Sequence, residues 1–296
     1  MKFFARFPQR WLPLVLAAPQ LSLAALFFYW PALKAVWWSL HLMRPFGNGT
    51  VFVGLQNYLR VLTDLGFYAS LQASLLFIVS SVSLAVIIAL ILAACANITT
   101  FGNVLFRHLL IWPYAVSGAV LGVILRYLMS PVAGPAGWVN FMFPGIWAPQ
   151  TYGTQALLMV TSAFAWTLVP FNFVIFIAAL QSVPDDYLAA AAIDGAGPIR
   201  RFVDIQLPML APSILFVVVI NCIESFTNSF GLVDTLTRGG PGGATNILAY
   251  KIFSDGFRGF DLSGSSTLSV ILMLVIVALT VVQFRAFERG HHRELH

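Results

Sequence analysis

Charge is scarce in this 296-residue chain. Only 9% of its residues are Asp, Glu, Lys or Arg, where an ordinary soluble domain carries about 25%. A fold in water needs a polar exterior. A chain that is 59% hydrophobic, with mean hydropathy +0.86, cannot furnish one, so its solvent is lipid. Lysine is rarer still: Lys2, Lys34 and Lys251 are the whole set, and none follows a glycine. A phosphate-binding P-loop needs Gly-Lys-Ser/Thr, so the chain holds no nucleotide in that way. The two cysteines, Cys95 and Cys222, fall in apolar stretches and read as small hydrophobes rather than a disulfide or metal pair. His41, His108, His291, His292 and His296 stand outside the apolar spans or at their edges, and no H-E-x-x-H pattern occurs. An intramembrane enzyme needs a nucleophile with its base, or metal ligands, within the spans. The reading is therefore not an enzyme, with no metal and no cofactor of its own. The 16 basic residues form no run, so the net charge of +5 reflects membrane orientation rather than nucleic-acid binding.

What the chain does have is long charge-free stretches. A bilayer core of about 30 Å needs about 20 helical residues at 1.5 Å each. Spans are expected at Leu12–Leu33, Leu71–Ala94, Leu109–Met129, Gln155–Leu180, Met209–Val233 and Thr267–Phe284. None alternates in polarity as barrel strands do, so helices are expected. Lys2, Arg6 and Arg10 before the first run resemble a signal peptide, but the long apolar core and five further spans make it an uncleaved first span. With the N-terminus inside, the inner segments carry Arg107, Arg200, Arg201, Arg285, Arg289 and Arg293 besides the first three. The longer outer segments carry Lys34, Arg44, Arg60, Arg238, Lys251 and Arg258. That bias places both termini in the cytoplasm. Trp11, Trp30, Trp112 and Trp147 sit near span ends as interfacial anchors. The fold expected is all-α: a polytopic membrane helical bundle of six transmembrane helices forming a single domain over 1–296.

The segment Gln181–Pro208, placed inside the cell by this topology, is not a slack linker. Ser182 can cap a helix, Pro184 suits its first turn, and Asp185 and Asp186 complement its dipole. The alanine-rich run from Tyr187 to Asp194 has high helix propensity. Gly195 and Gly197 stop it, and Pro198 opens a second short helix to about Asp204. Tyr187, Ala190, Ala191 and Asp194 share one face by helical spacing. A short stiff helix with small side chains suits docking in a groove of another protein, whereas most loops merely connect.

Ala190-Ala191-x3-Gly195-x9-Ile205-x-Leu207-Pro208 resembles the cytoplasmic EAA signature of binding-protein-dependent ABC importer permeases. One position departs: Ala189 stands where the signature has Glu. Phe52-Val-Gly-Leu-Gln-Asn-Tyr58 and Leu236-Thr-Arg-Gly-Gly-Pro241 resemble stretches of the family's carbohydrate-type branch. Within it, Ile193–Phe202, Ala179–Ser182, Ile111–Ala115 and Tyr250–Ile252 with Gly256-Phe257 are most similar to the first permease subunits of sn-glycerol-3-phosphate importers. The resemblance implies a type I importer permease fold with alternating access. It also implies a second homologous permease subunit, two ATPase subunits that bind ATP and Mg, and an extracytoplasmic solute-binding protein. Asp185, Asp186, Tyr187, Ala189, Ala190, Ala191, Asp194, Gly195, Ala196, Gly197, Arg200 and Arg201 would form the ATPase-coupling loop. Gly239, Gly240 and Pro241 would meet the binding protein. The implied solute is sn-glycerol-3-phosphate or a glycerophosphodiester, with glycerol, other polyols and oligosaccharides still open.

Glu224 is the one acid well inside a span, and an ionised carboxylate in lipid is costly unless it faces the bundle interior or a partner. Asn221, Glu224 and Asn228, with Ser225 beside them, make a polar stripe that suits a solute-facing wall. Asn172 in the fourth span matches an Asn of related permeases. At about 1.5 Å per residue from the inner ends, Glu224 is about 22 Å deep and Arg126 about 26 Å. The Glu224 carboxylate therefore either pairs with Arg126 or contacts solute. A rival of another class, an ion-coupled carrier or ATP-independent channel, would need acidic residues in several spans. Only Glu224 is available.

Overall fold

The computed structural model describes residues 11–43, 49–98, 110 and 112–293. The apolar runs close their backbone hydrogen bonds internally, as any lipid-spanning segment must. The first span is helical from α1 (Leu12–Ala24) through a π-helical turn at Ala25–Tyr29 into α2 (Trp30–Ser39), further than expected. Its apolar residues, Leu16, Phe28 and Leu33 among them, remain exposed. The long helices that follow are α4 (Leu65–Ile98), α7 (Gly153–Gln181) and α14 (Leu262–Arg293), with the short α6 (Gly137–Met142), α9 (Pro198–Arg201), α10 (Leu207–Met209) and α13 (Leu248–Phe253) between them. Together with the first span, the three long ones make four helices among the described residues long and apolar enough to cross a bilayer. A fifth span is bent. The helical stretch Pro198–Met209 meets α11 (Ala211–Thr227) at 66°. It ends at Thr227, not Val233, and Phe230–Leu236 forms a separate helix, α12. For the third expected span the structure describes α5 (Gly118–Leu128), apolar but only 11 residues long. Residues 99–109, with Arg107 and His108, lie outside the described residues.

The chain divides into two compact units. The first comprises the described residues up to Asp64 with Ile252–Leu274. Here a two-stranded antiparallel ladder, β1 (His41–Met43) with β2 (Thr50–Phe52), adds the only strands among the described residues. Its sequence cause lies in Phe52–Tyr58. Gly54 takes φ +57° and turns the chain into α3 (Gln56–Thr63). Buried Asn57 then donates its amide to the carbonyls of Ser39 (2.9 Å) and His41 (3.1 Å). Arg60 pairs with Asp261 at 2.9 Å, and the Met43 amide donates to Ser263 Oγ at 2.8 Å.

The second unit comprises Leu65–Lys251 and the chain from Val275 on. Its core is the α4–α7 pair, the most extensive helix contact among the described residues. Ser81, Ala85, Ala89 and Ala93 recur every fourth residue on α4, all wholly buried. Lipid gives no hydrophobic drive between helices, so close approach through such small residues supplies the dispersion energy instead. Phe173 and Phe176 of α7 are wholly buried, and Phe77 of α4 lies 5.2 Å from Phe164 of α7, ring centre to ring centre. The α5–α12 pair is tighter still: a Cβ at Gly122 would fall 2.0 Å from Thr235 Oγ1.

Candidate functional site

Two regions of the second unit hold most of the candidate residues. The first is a cavity of about 600 Å³ bounded by α5, α7, α11 and α12. Asn221, Glu224 and Asn228 all line it, so the polar stripe of α11 does share one wall. Asn228 ends α11, and its side-chain amide donates to the Glu224 carboxylate. Asn221 is 1% exposed, and neither its Nδ2 nor its Oδ1 has a hydrogen-bond partner among the described residues. A buried amide without partners costs about 1–3 kcal/mol, so a native fold that keeps one has reason to. Tyr114 and Thr167 complete the polar lining. Sequence reasoning passed over both, because a lone Thr or Tyr in an apolar run gives no periodic signal. The Thr167 hydroxyl already donates to the Phe164 carbonyl at 2.7 Å.

The other candidates lie elsewhere. Ser225 is buried and donates to the Asn221 carbonyl at 2.7 Å, tying down helix rather than facing the cavity. Asn172 is wholly buried with both amide atoms unpartnered, but it is not part of this wall. Arg126 makes no ion pair with Glu224 and lines a separate cavity of about 190 Å³. Pro241 lines that second cavity too. Gly239 turns at φ +77° against Tyr250, whose ring atom would lie 2.7 Å from an added Cβ. Only glycine satisfies both conditions.

The second region is the elbow 181–208. Asp185–Ile193 forms helix α8, with Asp185 and Asp186 in its first turn as expected. Ser182 does not cap it. Pro184 occupies the N-cap, and the Ser182 hydroxyl instead donates to the Ala179 carbonyl at 2.7 Å, closing the preceding helix α7. At the other end the Gly195 amide donates to Ala192 and the Ala196 amide to Ala191, with Gly195 at φ +82°. This is a Schellman closure, in which the left-handed residue satisfies the last carbonyls of the helix. No residue of α8 is buried: Tyr187 is exposed, as is Ile193 at 87%, and Ala189 and Ala190 likewise face solvent. The second helix starts at Pro198 but does not stop near Asp204. It continues through a π-helical turn to Met209 and then bends into α11 at Leu210, 1% exposed. Arg200 and Asp204 pair at 3.3 Å on its surface. Such an exposed contact is worth little.

A bent, exposed elbow rooted in two spans around a polar cavity invites comparison with transport proteins. The sequence model described as "Binding-protein-dependent transport system inner membrane component" matches residues 76–293. The chain belongs to this family. The permease is also 42% identical over 279 residues to the sn-glycerol-3-phosphate transport system permease protein UgpA of Yersinia pestis, covering 94% of this chain and 95% of that one. The proteins of the same name from Rhizobium meliloti and Brucella abortus are 39% and 41% identical over 286 residues, each match covering 97% of this chain and 98% of the relative. In structure it superposes on a bacterial ABC transporter involved in import of the acidic polysaccharide alginate, with TM-score 0.80 at 16% identity. That match covers 94% of this chain and 96% of the other. A bacterial alginate ABC transporter in complex with an alginate pentasaccharide-bound periplasmic protein superposes with TM-score 0.77. At that identity the match speaks for the fold, the expected all-α importer permease. The permease is thus a multi-pass inner-membrane subunit of an ABC importer that works with a solute-binding protein. It is not itself an enzyme.

Proposed function

We propose that the permease carries sn-glycerol-3-phosphate, or a glycerophosphodiester, inward across the membrane by alternating access. The observation that carries this reading is its 39–42% identity, over nearly the full length, to permeases named for that solute. The cavity chemistry is compatible with the glycerol end. Asn221 offers a donor and an acceptor, Glu224 an acceptor and Asn228 a further amide, which together match vicinal hydroxyls. In this conformation the Asn221 amide is closed off, so a rocking of α11 must open it to solute.

The elbow supplies the lever. Two ATPase subunits close on ATP and push α8, seated in a groove of one of them. The push passes through the bent helix at Leu210 into α11 and back through α7. A second homologous permease completes the path. Short exposed helices with apolar tips such as Ile193 serve this kind of groove docking. Ala189, in place of the signature Glu, leaves Asp185 and Asp186 as the nearest carboxylates for polar contacts there.

Glu224 bears on which solute passes. An unpaired carboxylate repels a phosphomonoester dianion more than a phosphodiester monoanion, so the diester is the second reading. A strain lacking this gene should lose growth on one of these compounds as sole phosphate source and regain it on complementation. Unimpaired growth on both would refute the solute assignment.

A further inference from the structure

The smaller cavity answers the difficulty that Glu224 raises. Arg126, at the end of α5, and Arg238, just beyond α12, both line it, with Gln150 and Thr237 as further polar groups. Pro149, Met159 and Leu236, all buried, form its apolar floor. Neither arginine has an ion pair or a side-chain hydrogen bond among the described residues. Two guanidinium groups sharing a recess without an acid repel each other, and a phosphate that accepts forked hydrogen bonds from both removes the repulsion.

The backbone adds an independent sign. Arg238 stands at φ +53°, in the left-handed region that costs a residue with a Cβ about 1–2 kcal/mol. Its amide is held there by the Val233 carbonyl at 2.8 Å. Strain of this sort persists where the surroundings impose it and concentrates at functional positions.

The two cavities are stacked on the same helix pair. On α5, Gly118 borders the larger and Arg126 the smaller, eight residues or about 12 Å apart along the axis. On α12, Leu232 borders the larger and Leu236 the smaller, about one turn apart. By the arginine and lysine distribution of the sequence, the smaller cavity is the outer one.

We infer that this outer cavity is a phosphate way station, where Arg126 and Arg238 hold the anionic end of the solute before its hydroxyl end reaches the Glu224 cavity. The inference rests on the proposed phosphate-ester solute. It assigns the negative charge to a level at which no carboxylate lines the wall, and leaves Glu224 facing hydroxyls.

The test is uptake into vesicles containing the whole importer with its binding protein, for the wild type, R126Q, R238Q, the double Gln variant and the double Lys variant. A hydrogen bond to a charged group is worth roughly tenfold to a hundredfold in binding. Each Gln substitution should therefore raise KM for sn-glycerol-3-phosphate at least about tenfold, mainly in KM rather than kcat, and the double Lys variant should recover most of the loss. Unchanged KM in the double Gln variant overturns the inference while the solute assignment stands. Wild-type vesicles that carry no phosphate ester overturn both. If the binding protein's affinity for the importer falls in step with uptake, the arginines dock an acidic surface of that partner and the inference fails. It fails equally if the Gln effect occurs only in vesicles containing phosphatidylglycerol, for then a lipid headgroup is the anion.

Discussion

Asn221 lends itself to a prediction in which stability and transport move in opposite directions. Its side-chain amide is inaccessible to solvent, has no partner among the described residues, and lies in the wall of the larger cavity. Replacement by leucine, similar in size, removes a desolvated donor and acceptor. Relief of an unsatisfied buried group is worth about 1–3 kcal/mol. For a chain of this size each kcal/mol shifts the unfolding midpoint by about 2–4 °C. N221L should therefore raise the midpoint of the purified complex by roughly 2–12 °C. In the state that meets solute, the same amide has up to two hydrogen bonds to give. Each neutral bond is worth about 0.5–1.5 kcal/mol, or about 2-fold to 13-fold in affinity. Solute KM should rise by that factor per bond lost. Asn172→Leu is the control, since Asn172 is equally buried and unpartnered but absent from the cavity wall. It should share the stability gain with little change in KM. Thermal scans with two labels and vesicle uptake across solute concentrations measure both quantities. A lower midpoint for N221L with unaltered KM would refute the reasoning.

Substitutions at three further positions probe other parts of the fold. Gly122→Ala places a Cβ 2.0 Å from Thr235 Oγ1 and 3.0 Å from the Leu232 carbonyl, and overpacking of this kind costs about 1–3 kcal/mol. Its unfolding midpoint should fall, and a wild-type midpoint would mean that α5 and α12 are not so closely packed. At Gly195 an added Cβ meets nothing within 4 Å, so Gly195→Ala should cost only the left-handed backbone term of about 1–2 kcal/mol. Gly195→Asn, which tolerates that conformation, should regain stability, and equal losses for both would point to a buried contact instead. Glu224→Gln keeps the size of the side chain and removes its charge, so it should shift preference between phosphomonoester and diester in competitive uptake. Unchanged uptake and solute preference would remove Glu224 from the path.

Much of this architecture could be read from the chain because lipid imposes simple rules. Charge-free length located the spans, and the fourth matched nearly to the residue. Helix ends were less legible. Leu65–Ser70 and the stretch down to Ser39 extend helices beyond their most apolar parts, where local polarity gives no stop. The break at Asn228–Ser229 followed from no strong signal either, since neither residue is a helix breaker like proline. In the elbow, Gly195 was read correctly as a stop because only its left-handed backbone closes α8. Ser182 misled, because a serine next to a helix end can serve the helix before it as well as the one after. The polar stripe of α11 was visible through its spacing. The second cavity was not, because Arg126 and Arg238 stand 112 positions apart and meet only through the packing of α5 against α12.

Everything mechanical rests on α8 being the grip through which an external motor moves this bundle. The family match and the exposed, Schellman-closed helix motivate that claim, and a cross-link tests it most directly. Ala190→Cys, on the solvent-facing side of α8, would be paired with single cysteines placed along the ATPase surface cleft in a reconstituted importer otherwise free of exposed thiols. The account predicts an oxidised cross-link that arrests solute-stimulated ATP hydrolysis and uptake together, with both restored by reduction. Full, solute-coupled turnover while α8 makes no cross-link anywhere on the ATPase would contradict it.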